Sequence, residues 1–308
     1  MIRLSIIVPF YNVEQYLEEC IRSLYTQDIP QDEYEVICVD DCSPDDCSMI
    51  VKRLQQEYTT LRLITHSHNR KLGGARNSGL KAANGMFVWF VDSDDNIYPN
   101  VLKKMLNEAE KDNVDLLQFD FSRGGKQSSI ISQSNKITNG ETYLFQNTGS
   151  HWCEKIGGVW RQLFRREFLE CNNMRYVENV MYEDTDYLLH AFLVANKVRY
   201  LSILAYNYRI NPESITASPI SPLKLAWRVN SIARCCTYVD LAKTDTAVEL
   251  MGTFISQSLS SIRTEIKLLT QDQKREYRRN LVLGNRMCKQ YINWRTWFAI
   301  RYGITWFV

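Results

Sequence analysis

The sequence has no run of about 18 consecutive apolar residues, so it predicts no conventional membrane-spanning helix. It has little charge imbalance: 37 Lys and Arg stand against 35 Asp and Glu, a formal net charge of +2. So even a balance gives no global attraction to nucleic acid, and no such partner is expected. The apolar stretch that opens the chain is about five residues long, too short for a secretory signal core. The nine Cys are an odd number without repeated CxxC pairs. With no export signal they read as reduced thiols in a cytoplasmic protein. No GxxxxGK[ST] string occurs, and no GxGxxG follows the first apolar run, which removes the common phosphate-cradling turns. His66, His68, His151 and His190 have no metal-ligand spacing.

What is present is an ordinary globular composition, 45% apolar and 23% charged over 308 residues. That length suggests about two domains, or one with a long extension. Leu4–Val8, Glu35–Val39, Leu61–Thr65, Met86–Val91 and Leu116–Phe121 read as short buried strands. Helical spacing separates them: Tyr16 to Leu24, Ile50 to Leu54, a stretch through Leu80 and Ala83, and Val101–Ala109. Asn12 with Gln15, and Ser43 with Asp46, have the spacing of capping boxes. Alternation of this kind predicts an α/β fold with a mostly parallel sheet covered by helices on both faces.

Such sheets bind ligands beyond the carboxyl ends of their strands. Pro9-Phe10-Tyr11-Asn12 follows the first strand, Asp40-Asp41-Cys42-Ser43 the second, and Asp92-Ser93-Asp94-Asp95 the fourth. Asp40, Asp41, Asp92, Asp94 and Asp95 therefore converge on one edge. Carboxylates packed this closely repel unless water or a cation screens them, and their oxygens suit Mg2+ or Mn2+. The plain alternative is a solvated acidic turn that caps the next helix. Gly73-Gly74-Ala75-Arg76-Asn77 has the opposite character. Glycines permit close backbone approach, and Arg76 suits a phosphate, with Arg70 and Lys71 as alternatives.

Taken together, SIIVPFYN, VICVDDCSPD, NRKLGGARNSGLKAANG and FVWFVDSDDNIYP resemble the amino-terminal half of a family 2 glycosyltransferase of the GT-A fold. The likeness continues through GGVWRQLFRREFL, YEDTDYLLH and YNYRINPESIT, to about residue 216, in the manner of bacterial surface-polysaccharide transferases. It implies a nucleotide-sugar-binding half over 1–122, an acceptor and catalytic half over 123–216, and a helical extension over 217–308. It further implies that Pro9, Tyr11, Asp41, Arg76, Asp92 and Asp94 bind a nucleotide-sugar, a UDP-sugar by preference. Asp94 and Asp95 would hold Mg2+ or Mn2+. Asp184 would be the catalytic base, with Glu183 supporting it and Asp186 as competitor. The acceptor would be a saccharide or lipid-linked saccharide. The likeness implies an inverting reaction, and the chain lacks the QxxRW motif of processive members, which favours addition of a single sugar.

Two alternatives share these residues: a metal-dependent nucleotidyltransferase, and a non-catalytic nucleotide-sugar-binding protein. Trp152, Trp160 and Tyr182 suit either an acceptor platform or the core. From Pro222 the pattern is helical, with Leu250, Phe254, Leu259, Ile262, Ile266 and Leu269 in step. Lys274 to Lys289 is rich in Lys and Arg, and Trp294, Trp297, Phe298, Trp306 and Phe307 follow. Basic residues beside aromatic ones suit an interfacial segment, so the tail is expected to lie on the inner face of the cytoplasmic membrane. The oligomeric state is left open.

Overall fold

The computed structural model describes residues 1–128, 136–148, 157–211 and 219–288. His151, Trp152, Lys289 and the aromatic tail from Trp294 lie outside the described residues, and Arg286 is described only as helical backbone.

The chain begins β1 (Leu4–Phe10), α1 (Glu14–Leu24), β2 (Tyr34–Asp40), α2 (Cys47–Leu54), β3 (Leu61–Thr65), α3 (Lys71–Ala82) and β4 (Phe87–Phe90). There follow β5 (Asn96–Ile97), α4 (Leu102–Asp112), β6 (Leu116–Arg123), β7 (Lys126–Ser128), α5 (Gly140–Thr148), β8 (Gln162–Arg165) and α6 (Arg166–Cys171). The remainder is α7 (Glu183–Val194), β9 (Val198–Tyr208), α8 (Pro222–Cys236), α9 (Asp245–Lys267) and α10 (Gln271–Cys288).

Among the described residues these strands form one sheet, ordered β3-β2-β1-β4-β8-β6-β9-β5, with β7 beside β6. From β3 to β4 it is parallel, as alternating strands and helices require. Beyond β4 it is mixed, because β8 enters antiparallel between β4 and β6. The strand run expected to end at Val8 continues through Pro9 to Phe10, since proline at the carboxyl end costs little of the ladder.

β1 and β2 are buried at every position, which explains their continuous apolar runs. Successive side chains feed opposite layers. Ile6, Val8, Val36 and Cys38 pack with Leu17, Ile21, Val51 and Leu106 of α1, α2 and α4. Ile7, Ile37, Val88 and Phe90 join a second core that takes in Tyr187 and Leu188 of α7, Leu225 and Val229 of α8, and Met251 and Phe254 of α9. Gly79 makes this possible on α3: a Cβ there would stand 2.3 Å from Ile7 Cγ2. Of the apolar series foreseen in the last third, Phe254, Ile262 and Leu269 are buried, but Leu259 faces outward. Among the described residues no helix is long and apolar enough to cross a membrane.

Both capping boxes are corrected. Asn12 is not a cap: it has φ 55, and Val13 occupies the cap position without a side-chain bond. The loop after β2 supplies the missing acceptors. Asn12 N donates to Ser43 Oγ (2.8 Å) and Glu14 N to Asp45 Oδ2 (3.0 Å). In return Asp46 N donates to Glu14 Oε2 (3.1 Å). Ser43 is thereby occupied, and α2 starts three residues late, at Cys47, whose N–H donates to Asp45 Oδ1 (3.3 Å).

Candidate active site

The carboxyl ends of β1, β2 and β4 open into a cavity of about 1050 Å³. Every site residue foreseen in the sequence lines it: Pro9, Tyr11, Asp41, Arg76, Asp92, Asp94, Asp95, Glu183 and Asp184. The acidic turn and Glu183-Asp184 lie far apart along the chain, so only the fold brings them together.

Arg76 makes the link. It projects from α3, is 3% exposed, and donates from Nη2 to Asp92 Oδ1 (2.8 Å) and from Nη1 to Glu183 Oε1 (2.5 Å). Burial alone would lower its pKa, but Asp92 and Glu183 more than reverse that and raise it. Arg76 therefore neutralises carboxylates on both sides of the cavity rather than standing free for a phosphate. Arg70 is also engaged, with two bonds of 2.7 Å from Nη2 to the Glu178 carboxylate. Lys71 remains on the cavity wall.

Within the acidic turn the three aspartates differ. Asp95 is 2% exposed and accepts from Tyr206 Oη (2.6 Å) and Arg209 N (2.8 Å). Burial, with Asp92 and Asp94 nearby, pushes it up to about 8. Asp94 is half-buried, accepts from Asn211 Nδ2 (3.0 Å), and is raised by burial and by Asp92. The Tyr206 hydroxyl also accepts from Asp92 N (3.2 Å), so β9 clamps the turn at two points.

Asp41 is fixed by His66, whose Nδ1–H donates to Oδ1 (2.8 Å), and by Arg70 N (2.8 Å). The other ring nitrogen of His66 meets Ser78 Oγ (2.8 Å). Asp40 serves the fold, accepting from Ser43 N (2.7 Å) and the Ser48 hydroxyl. Trp160 lines the cavity and is also core, stacked on Tyr206 with ring centroids 4.5 Å apart.

Glu183 and Asp184 open α7. Burial pushes Glu183 up to about 7 against the pull of Arg76, and raises Asp184 in the same direction. Asp186, the competing base, is buried instead against Arg234, which donates from Nε to Oδ1 (2.8 Å). Gly73 lets α3 close on the preceding loop, since a Cβ there would stand 2.4 Å from Val177 O. Sequence reasoning missed His66, Tyr206, Asn211 and Arg234. Their roles depend on partners far along the chain, for which no local spacing exists.

The family model for glycosyl transferase family 2 matches residues 5–171. The chain is 35% identical over 223 residues to an uncharacterized glycosyltransferase, EpsJ of Bacillus subtilis, covering 71% of this chain and 64% of that one. It is 28% identical over 283 residues to TarS of Staphylococcus aureus, a poly(ribitol-phosphate) beta-N-acetylglucosaminyltransferase, covering 89% and 48%. It thus spans about half to just under two thirds of the length of these relatives. The crystal structure of S. aureus TarS 1-349 with UDP-GlcNAc aligns with TM-score 0.72 at 24% identity, over 96% of this chain and 83% of that one. The mannosyltransferase PcManGT of Pyrobaculum calidifontis, in complex with GDP-Man and Mn2+, aligns with TM-score 0.57 at 17% identity, over 97% and 84%. At such identities the structural likeness is one of fold. Together with the family match over more than half its length, it establishes that the chain belongs to glycosyl transferase family 2 and has the GT-A fold.

Proposed function

We propose that the chain transfers a single sugar from a UDP-sugar to a saccharide or lipid-linked saccharide acceptor. The transfer inverts the anomeric centre, uses Mg2+ or Mn2+, and serves the synthesis of a bacterial surface polysaccharide. One observation carries this reading: the acidic turn and the Glu183-Asp184 pair face a single cavity, joined through Arg76. Structures of TarS with UDP-GlcNAc and with UDP support the donor class, and the poly(ribitol-phosphate) relatives support a surface polymer as acceptor.

In this reading Pro9, Tyr11 and Asp41 receive the nucleoside, and Asp92 and Asp94 face the ribose and diphosphate. Asp184 accepts the proton of the acceptor hydroxyl as its oxygen attacks the anomeric carbon and the bond to the diphosphate breaks. Glu183, tied to Arg76, holds the first turn of α7 steady. Direct attack of this kind needs no covalent enzyme nucleophile. It also favours a catalytic role over mere binding, because Asp184 lines the donor cavity rather than lying remote from it.

The residues fit a divalent cation. Arg76 is consumed by Asp92 and Glu183, which leaves Asp94 on the cavity wall with burial and Asp92 both raising its pKa. Among the described residues no cluster of three or more His, Cys, Asp or Glu could hold a metal by itself. An ion there would be held by one or two carboxylates and completed by phosphate and water. Asp94 is the accessible ligand, and Asp95, with a chain donor on each oxygen, shapes the turn behind it. When bound, the cation would supply countercharge for the departing diphosphate.

A panel of nucleotide-sugars assayed for UDP release, with Mn2+ or with chelator, tests the activity. UDP titration tests the metal side. Chelator or Asp94→Ala should each weaken UDP binding at least tenfold, about 1.4 kcal/mol. Equal affinity in all three conditions would overturn the metal assignment.

The membrane part of the reading is tested separately. Arg275, Arg278 and Arg279 are exposed on α10, just before the basic-aromatic tail. Each cation near anionic lipid contributes about 1 kcal/mol. The protein should co-sediment with anionic vesicles but not neutral ones, and 1 M salt should release it, because the screening length then falls to about 3 Å. Indifference to anionic vesicles would refute peripheral attachment.

A further inference from the structure

The first turn of α7 carries three carboxylates, and the fold treats them unequally. Glu183 is bound by Arg76 of α3, and Asp186 by Arg234 of α8. Both arginines are buried, at 3% and 1% exposure. Asp184, between them in sequence and on the cavity wall, has no ion pair among the described residues. The two outer carboxylates are thus anchors, and the middle one is left to act.

The α8 side of this arrangement does more than neutralise Asp186. Tyr182, the residue before the helix, has φ 59 and ψ 41, a left-handed conformation that a bulky side chain adopts only when its surroundings impose it. Its carbonyl oxygen accepts from Ser231 Oγ (2.9 Å) and from Arg234 Nη2 (3.1 Å). Ser231 and Arg234 lie three residues apart, so one face of α8 presents both donors. Both are buried, at 2% and 1% exposure. The carbonyl of a helix-capping residue points along the helix axis, so fixing it fixes the direction in which the first turn leaves. These two bonds oppose any swing of Glu183 and Asp184 away from the cavity.

We propose that Ser231 and Arg234 are positioning residues for the catalytic base. They act from the helical C-terminal region through the Tyr182 carbonyl. The proposal rests on Asp184 being that base. It assigns a role in the reaction to α8, which lies beyond the family match ending at residue 171.

The test compares Ser231→Ala, Ser231→Thr and Arg234→Lys with the wild-type chain. Ser231→Ala keeps the volume and loses the donor, whereas Ser231→Thr keeps the hydroxyl and adds a methyl. Two readouts are taken. The first is kcat and donor KM for UDP release from the nucleotide-sugar identified by the panel. The second is amide hydrogen exchange over peptides covering 183–194, with peptides covering 4–40 as internal control, which needs no substrate. Ser231→Ala and Arg234→Lys should lower kcat about tenfold with donor KM within about twofold. They should also speed exchange at the start of α7 without changing the control peptides. Ser231→Thr should restore both. If Ser231→Ala matches the wild type in exchange at 183–194 and in kcat, the proposal is overturned. So it is if Ser231→Thr is the more damaged variant, since that points to packing. Should Arg234→Lys fail to fold, the Ser231 pair decides alone. Failure of the base assignment looks different: Asp184→Asn would then stay active whatever the Ser231 variants do.

Discussion

Asp184→Asn should lower kcat by about 10²–10⁴, the usual span for losing general-base assistance. Asn keeps the shape and removes the basic oxygen. UDP affinity should be nearly unchanged, because the lost interaction belongs to proton transfer in the transition state. The pH profile gives a second check. Burial raises the Asp184 pKa against the opposing charge of Arg76. The base must be ionised to work, so activity should fall as pH drops through that raised value. The acidic limb should therefore lie above the ordinary carboxylate range of about 4. Near-wild-type turnover in Asp184→Asn would move the role elsewhere in the cavity.

Arg76→Met should cost about 3–5 kcal/mol of stability, because it strands Asp92 and Glu183 without their shared cation. Urea unfolding of the variant and wild type at pH 8 measures this. The deficit should shrink on acidification. Glu183 is already pushed up to about 7 by burial, and losing Arg76 removes the main influence pulling it down. Between the unfolded value of about 4.3 and the raised folded value, the native state holds a proton that the unfolded state lacks. Lowering the pH through that window therefore favours the native state of the variant. Wild type gains in the same way below about 7, so the deficit should narrow as pH falls from the variant's higher folded value to about 7 and stay level below it. A loss below about 1 kcal/mol, or one that grows as pH falls, would show that Arg76 is not the keystone of the cavity.

Much of this architecture was legible because its signals are local. The apolar runs of β1 and β2 and the acidic turn after β4 declare themselves within a few residues. The Glu183-Asp184 pair stood out only through the YEDTDYLLH block of the family likeness. The order of the four amino-terminal motifs then carried the family likeness. What escaped was whatever depends on distant partners. Asn12 and Ser43 each open a capping-box spacing, yet Ser43 Oγ accepts from the Asn12 backbone N–H instead of capping its own helix. The two carboxylate partners of Arg76 lie too far along the chain to be read from its own segment. Nothing near Asp95 in sequence announces Tyr206, 111 residues away, on its carboxylate. The mixed half of the sheet was hidden too, since nothing in Gln162–Arg165 announces a strand running against its neighbours.

The exchange of hydrogen bonds between the loops after β1 and β2 bears on the thermodynamics of donor capture. Asn12 and Glu14 lean on Ser43 and Asp45, while Asp46 leans back on Glu14. Two segments that would each have to be ordered around an arriving nucleotide are already ordered around each other. Loops left to fold on their ligand cost affinity in lost conformational freedom. Here that loss falls in the folding of the chain rather than in binding. At this rim the Tyr11 ring is 48% exposed. Nucleotide entry should therefore resemble docking onto a rigid surface, with a small entropic cost and a heat-capacity change set by the apolar area that the base and the ring cover.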